Sequence, residues 1–286
     1  MPQASPPTPV LLISPDGMLG RAWEALAVAE RLPFESVSYP AFDLRDERSV
    51  TEALAPRFRT VVNCSGFTDV DGAETNQDEA MAVNAYGVGT LSARCRATGA
   101  VLVHYSTDYV FDGCASEPYR TDAPCRPASA YGRSKAMGEA LLSASRCEHL
   151  LVRTSWLYAP WGKNFVDTIA RLGRERAALR VVDDQRGRPT SAPYLAERSL
   201  ALLRHGARGI FHVTDGGECT WFEFAREIVR VTGGGARVEP CTTDELARPA
   251  HRPAYSVLDL SRTEDVIGPC RSWRENLRDV LRARSD

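Results

Sequence analysis

Tyr131 and Lys135 stand four residues apart in the run Tyr131-Gly132-Arg133-Ser134-Lys135, at the start of a predicted helix over 129–145. Both side chains then project from one helix face. A lysine ammonium beside a phenol favours the phenolate and lowers its pKa from about 10. Such a phenol can hand a proton to a ketone oxygen as hydride reaches the carbonyl carbon, or take one from an alcohol in reverse. A hydroxyl at the end of the preceding apolar run, Ser106 or Thr107, can polarise the same carbonyl. Alone, a Tyr–Lys pair at this spacing is ordinary surface decoration. Strand, hydroxyl and Tyr–Lys helix in that order point instead to hydride-transfer chemistry.

Hydride transfer needs a carrier, and the first turn of the chain is where one would bind. A dinucleotide-binding turn follows the first strand and uses glycines for tight curvature and close phosphate approach. Here the turn reads Ser14-Pro15-Asp16-Gly17-Met18-Leu19-Gly20. Gly17 and Gly20 fit the spacing, but Ser14 holds the first glycine place. Serine can serve there at negative φ, yet it adds a side chain where backbone should meet pyrophosphate, so weakened cofactor binding is expected. Taken alone, the turn reads equally well as a plain Asp-Gly turn. After the second apolar run, Val37-Ser38-Tyr39-Pro40 offers neither an acid nor a base to read the ribose, and Asp43 and Arg45 come only later. NAD and NADP stay open on these residues.

The elements that must position these groups follow from the apolar pattern. Runs at 10–14, 36–39, 60–65, 100–106 and 149–155 alternate with helical windows at 18–31, 78–97 and 129–145. Strands apolar along their whole length, separated by helices, predict an α/β fold with a doubly wound, Rossmann-type parallel sheet. Beyond Asp183 the texture is polar and turn-rich. Residues 10–160 are expected to form mainly the dinucleotide-binding domain, and residues 161–286 mainly a small substrate-binding cap with late elements of the sheet. The first nine residues read as a disordered Pro-rich tail rather than a signal peptide.

Composition narrows the function classes. The chain has 286 residues, 43% of them apolar, so a full core is available and disorder is excluded. Lys plus Arg number 35 against 37 Asp plus Glu, which leaves no global positive field for nucleic acid or an anionic membrane. No apolar run approaches bilayer length. Eight cysteines lie singly, with no Cys-x-x-Cys pair, which fits thiols in a reducing cytoplasm and no bound metal.

Several segments together carry a family likeness: Gly17–Gly20, Asp43–Asp46, Val61–Glu74, Val83–Gly87, STDYVFDG from Ser106, YGRSKAMGE from Tyr131, Arg153–Tyr158, DDQRGRPT from Asp183 and RPAYSVLDLSR from Arg252. In these the chain resembles the extended short-chain dehydrogenase/reductases, and within them the dTDP-4-dehydrorhamnose reductase family, over nearly its whole length. The resemblance implies Tyr131 as general acid, Lys135 as its tuner and ribose ligand, and Thr107 as the hydroxyl on the 4-keto oxygen. It implies a cofactor site of Ser14, Asp16, Gly17, Met18 and Leu19, with Asp43 and Leu44 near adenine, Cys64, Ser65, Gly66 and Phe67 in the groove, and Asn84 beneath it. For substrate it implies Ser106, Thr107, Asp108, Val110, Tyr131, Trp156 and Arg252.

NADPH is the favoured cofactor on this resemblance, with NADH possible, because no acid at Tyr39 repels a 2′-phosphate. The expected partners are a dTDP-sugar and at most a second copy of the chain. Cations for the diphosphate are expected from Lys163, Arg186, Arg188 and Arg252. The chain departs from the family at Ser14, at Cys64–Phe67 and at Tyr39, where a basic residue is usual. A 4,6-dehydratase is disfavoured because Tyr109 stands where such relatives carry Glu, and an epimerase would need a longer sugar-domain insertion. A reductase of a secondary-metabolite pathway, of the dihydrostreptose type, stays open. So does a non-catalytic subunit similar to the regulator of methionine adenosyltransferase, which the substituted first glycine keeps alive.

Overall fold

A computed structural model describes residues 8–284, so most of the expected tail lies outside the described residues. Five strands, β1 (Val10–Ile13), β2 (Phe34–Val37), β3 (Thr60–Asn63), β4 (Val101–Thr107) and β5 (His149–Thr154), pair in parallel in the order β2-β1-β3-β4-β5. A sixth strand, Gly209–His212, extends the sheet beside β5. Every residue of β1, β3 and β4 is buried, as continuous apolar strands covered on both faces require. One face packs on the helices Met18–Ala29 and Ala192–Arg204 through Trp23, Leu195 and Leu200. The other packs Phe58, Leu91 and Leu142. The expected doubly wound α/β architecture is what forms.

Strand order reverses at β1, whose neighbours are β2 on one side and β3 on the other. In an open α/β sheet the crevice outside the strand ends at such a point is the natural ligand site. The helix following β4, Ala130–Ser145, sits close over that crevice because two of its glycines allow it. A Cβ at Gly132 would lie 2.2 Å from the Tyr109 carbonyl oxygen, and one at Gly138 would lie 2.1 Å from that of Asn84. The Ser129 side chain caps this helix by accepting from the Gly132 N–H. The helical window expected over 78–97 forms, but with a π-turn at Ala82–Tyr86 between Gln77–Met81 and Gly87–Thr98.

The remainder of the chain adds a second, smaller unit against the strand ends. Ala178–Val182 pairs in parallel with Arg237–Cys241, and the helices Phe165–Glu175, Trp221–Thr232 and Trp273–Arg282 share a core with Tyr158, Phe224 and Leu277. Neither the strand Ala178–Val182 nor the helix Phe165–Glu175 is among the expected elements, although Phe165, Val166, Ile169 and Leu172 give the helix an apolar stripe behind its Asn164 cap. The strand alternates in exposure instead of running apolar, as an edge pair on a half-covered face does. Arg252 to Arg262, expected as an extended piece, joins no sheet but pairs through isolated bridges such as Tyr119 with Leu258, and its end runs into the helix Ser261–Ile267. Asp215 joins the two parts. Its buried carboxylate accepts from the Tyr158 hydroxyl at 2.9 Å, from Asn276 Nδ2 at 2.7 Å and from the Ser191 N–H.

Candidate active site

A cavity of about 640 Å³ opens at the C-terminal ends of β1, β3, β4 and β5. The first turn lines it with Ser14, Asp16, Gly17, Met18 and Leu19, and the segment after β3 with Cys64, Ser65 and Gly66. The end of β4 contributes Ser106, Thr107, Asp108 and Tyr109, and the helix after it contributes Tyr131 and Lys135. The structure therefore gathers residues from four strand ends into one chamber.

Thr107 is the junction of the polar groups. Its Oγ1 donates to Asp108 Oδ1 at 3.0 Å and accepts from the Tyr109 N–H at 3.2 Å, and the Tyr131 phenol stands near enough for this hydroxyl to act on its pKa. Burial pushes the Asp108 carboxyl up to about 6, against the hydroxyls of Ser256 and Thr107, which hold it down. Ser106 Oγ is buried in the chamber wall without a hydrogen-bond partner among the described residues. Lys135 is buried, and its Nζ donates to the Tyr105 carbonyl at 2.6 Å. Burial pulls its pKa down to about 8, while Glu139, one turn further along the helix, acts to raise it.

Burial raises Tyr131 well above its ordinary value, and the Thr107 hydroxyl acts to lower it. Among the described residues the Lys135 ammonium gives its hydrogen bond to the Tyr105 carbonyl rather than to the phenol, so any hold it has on the phenolate is through space.

The first turn also differs from expectation. Ser14 adopts φ +59°, the left-handed region, where negative φ was required for serine to be comfortable. The turn is tight enough that a Cβ at Gly20 would lie 1.8 Å from the Ser14 carbonyl oxygen. That curvature explains why a glycine is the natural residue at position 14. Gly17 precedes the helix Met18–Ala29, which has no acidic residue in its first turn, and this N-terminus borders the chamber beside Asp16. A second cavity of about 350 Å³ continues from the first, sharing Ser14, Ser65 and Gly66, and is lined by Tyr39, Asp43, Leu44 and Arg45.

A third cavity, of about 400 Å³, adjoins the chamber on the opposite side and shares Val70, Tyr109 and Trp221 with it. It is lined by Arg180, Arg248 and Arg252. Arg252 Nη2 reaches Asp71 Oδ2 at 2.9 Å, and its guanidinium lies 5.9 Å from the centroid of Tyr109.

The RmlD substrate binding domain family matches this chain over residues 8–285. A dTDP-4-dehydrorhamnose reductase from Streptomyces griseus is 42% identical over 282 residues, 96% of this chain and 93% of that protein. This chain belongs to the dTDP-4-dehydrorhamnose reductase family. A dTDP-4-keto-6-deoxy-D-glucose reductase from Streptomyces niveus is 41% identical, covering 90% of this chain and 91% of its own. A solved dTDP-4-dehydrorhamnose reductase from Bacillus anthracis, in complex with NADP, superposes with a TM-score of 0.93 at 32% identity, over 96% of this chain and 98% of that one.

Within this family member, not every expected site residue reaches the chamber. Val110 is 0% exposed and packs with Phe111, Tyr119 and Leu258, so it is core rather than substrate wall. It sits in the 3₁₀ turn Asp108–Val110 that follows β4, where Asp108 and Val110 are both buried. Phe67 packs beside Ala73, Ala80 and Ala130. Asn84 is buried, and its amide is spent on the Phe67 N–H and carbonyl, each at 2.9 Å, and on Ser134 Oγ at 3.0 Å. Both residues therefore shape the Cys64–Phe67 segment from behind rather than touching a ligand.

Of the expected cations, Arg252 alone is among the described residues lining these cavities. Lys163 is exposed and Arg186 pairs with Glu218, and neither lines these cavities; nor does Arg188. Arg180 and Arg248 take their place. Trp156 does line the chamber, but its ring is stacked on Trp221, which the sequence reading missed. Trp221 looks in sequence like the apolar start of a helix, and the only signal for it is an aromatic at the first position after the Thr220 cap. Among the described residues no cluster of three His, Cys, Asp or Glu could hold a metal ion, and no helix is long and apolar enough to cross a membrane.

Proposed function

We propose that this chain is an NAD(P)H-dependent reductase of the 4-keto group of a dTDP-linked deoxy sugar. The observation that carries the reading is the meeting of Thr107 and Tyr131 hydroxyls inside a chamber continuous with the Gly17 turn. A dinucleotide suits these residues. The helix N-terminus after Gly17 can take a pyrophosphate, and the two joined cavities run from that turn to Asp43 and Leu44. The arginine-lined cavity beyond Trp221 suits the diphosphate of the substrate.

A bound reduced cofactor supplies the hydride to the carbonyl carbon. As negative charge grows on the carbonyl oxygen, the Tyr131 phenol gives up its proton to it. Burial keeps that proton on the phenol until an oxyanion forms. Thr107 turns its hydroxyl proton from Asp108 to the same oxygen. Lys135, buried one helical turn away, then stabilises the phenolate left behind. The reading is tested by following oxidation of NADPH or NADH with dTDP-4-keto-6-deoxy sugars and identifying the alcohol formed. Cofactor binding with no turnover of any such sugar would leave only the role of a non-catalytic subunit.

A further inference from the structure

Lys135 and Lys163 are the two lysines in the chain. Lys163 is exposed, whereas Lys135 is buried with its Nζ on the Tyr105 carbonyl. Glu139 stands four residues beyond Lys135 on the same helix and is buried too. Arg153 reaches its carboxylate from β5 as a fork, Nη2 donating to Oε2 at 2.6 Å and Nε to Oε1 at 3.0 Å. We propose that Glu139 is a positioning residue for the reaction: its carboxylate, pinned by Arg153, keeps the buried Lys135 ammonium charged at neutral pH. This rests on the reductase function proposed above.

A buried ammonium has lost its water, and a carbonyl returns a dipole rather than a counter-charge. A carboxylate one helical turn away can return about one to two pH units of proton affinity at an effective dielectric near 20. The other groups around Lys135 do not supply that charge. On β4, burial holds His104 neutral, with its Nδ1 beside Asn63 Nδ2, and holds the Tyr105 phenol protonated against Trp23. Burial likewise keeps the proton on Cys64 after β3 and on Tyr131 of the same helix. Asp108, raised to about 6, acts on Tyr131, and Glu74 is spent on the Ala130 N–H at the helix start. Around the fork itself, burial raises the Cys125 thiol and lowers the His212 imidazole, so neither carries charge at neutral pH. Because Arg153 binds both oxygens of Glu139, the negative charge stays at one place on the helix.

NMR titration of lysine-labelled protein reads Lys135 directly, with Lys163 as the exposed reference in the same sample, and needs no turnover. In wild type Lys135 should titrate near pH 8. Glu139→Gln should lower that midpoint by about one pH unit or more, and kcat/KM for the keto sugar should begin to fall at a correspondingly lower pH. Glu139→Asp keeps the charge while loosening the fork, so its midpoint should stay within about 0.3 pH unit of wild type even as stability falls. If Glu139→Gln does not fold, Glu139→Gln with Arg153→Leu leaves no unpaired charge and should show the same downward move. A midpoint unmoved by Gln, one lowered equally by Asp and Gln, or a kcat/KM profile that stays in place while the midpoint moves overturns the proposal. Midpoints that move as stated in a wild type that reduces no keto sugar would sink the reductase reading, and with it the part given to Glu139 in that reaction.

Discussion

Trp156 and Trp221 stack flat on one another, their ring centroids 3.7 Å apart and their planes 12° from parallel. Trp156 follows β5 of the nucleotide-binding sheet, with φ +48°, while Trp221 opens a helix of the smaller unit. The pair therefore joins the two parts of the molecule at the wall of the chamber. Trp221 also borders the arginine-lined cavity, and Phe165 lies 4.5 Å from it on the helix Phe165–Glu175.

A sugar nucleotide spanning both cavities must pass this pair. Trp221→Ala is expected to raise KM and to lower kcat together, by about tenfold in kcat/KM, because lost alignment costs rate as well as affinity. Trp156→Ala should behave alike. The double variant should lose far less than the product of the two single losses, since either truncation destroys the same stack. Strictly multiplicative losses in steady-state kinetics would show that the two rings act separately.

The Tyr131 phenol should be the proton donor. Tyr131→Phe is expected to cut kcat by about 10² or more while cofactor affinity stays near wild type. The pH profile follows from Lys135, whose pKa burial lowers to about 8. Its ammonium is needed, so kcat/KM, which reports the free enzyme, should fall as pH rises above about 8. The stability sign is opposite. The folded protein binds this proton less tightly than the unfolded chain, so between about pH 8 and the ordinary lysine range stability rises with pH. A kcat/KM profile flat through pH 9 removes Lys135 from the chemistry.

Glu139 shares the helix of Tyr131 and Lys135 and pairs with Arg153 on β5 at 2.6 Å, both side chains buried. Arg153 also donates to the Thr121 carbonyl and lies 5.0 Å from the Phe111 ring centroid. The pair fixes the catalytic helix against the sheet. Arg153→Leu leaves the Glu139 charge buried and unpaired, and should cost about 3–5 kcal/mol in denaturant unfolding. Adding Glu139→Leu should restore much of that stability. Without recovery in the double variant, the cost lies in the other Arg153 contacts.

Much of the sheet and of the chamber could be read from the chain. Parallel strands covered on both faces are apolar throughout, which makes β1, β3, β4 and β5 visible, and helical spacing puts Tyr131 and Lys135 on one side. What stayed hidden depends on partners distant in sequence or on backbone geometry. Arg180 and Arg248 reach the cavity beside Tyr109 from segments 71 and 139 residues away. The direction of the Lys135 ammonium depends on the Tyr105 carbonyl, which no side-chain pattern encodes. Val110 is buried together with Asp108 in a 3₁₀ turn, which no alternation in the sequence announces. The strand Phe34–Val37 begins two residues before the expected run because it is an edge strand with only partial burial.

Ser14 offers the sharpest check on the first turn. Its left-handed backbone costs an L-residue roughly 1–2 kcal/mol, which glycine escapes, though glycine returns about 0.5–1 kcal/mol through the greater freedom of the unfolded chain. Ser14→Gly should therefore stabilise the fold by between about 0 and about 1.5 kcal/mol. Its larger effect should be on the cofactor. Ser14 lines both the chamber and the cavity of Asp43, so removing its hydroxymethyl group clears the place where backbone meets pyrophosphate. Because the pyrophosphate is common to both dinucleotides, NADPH and NADH should tighten together, about threefold or more, with their ratio unchanged. Titration of the variant against wild type decides it: equal or looser binding of both would mean that the serine is accommodated in the turn and contributes a contact of its own.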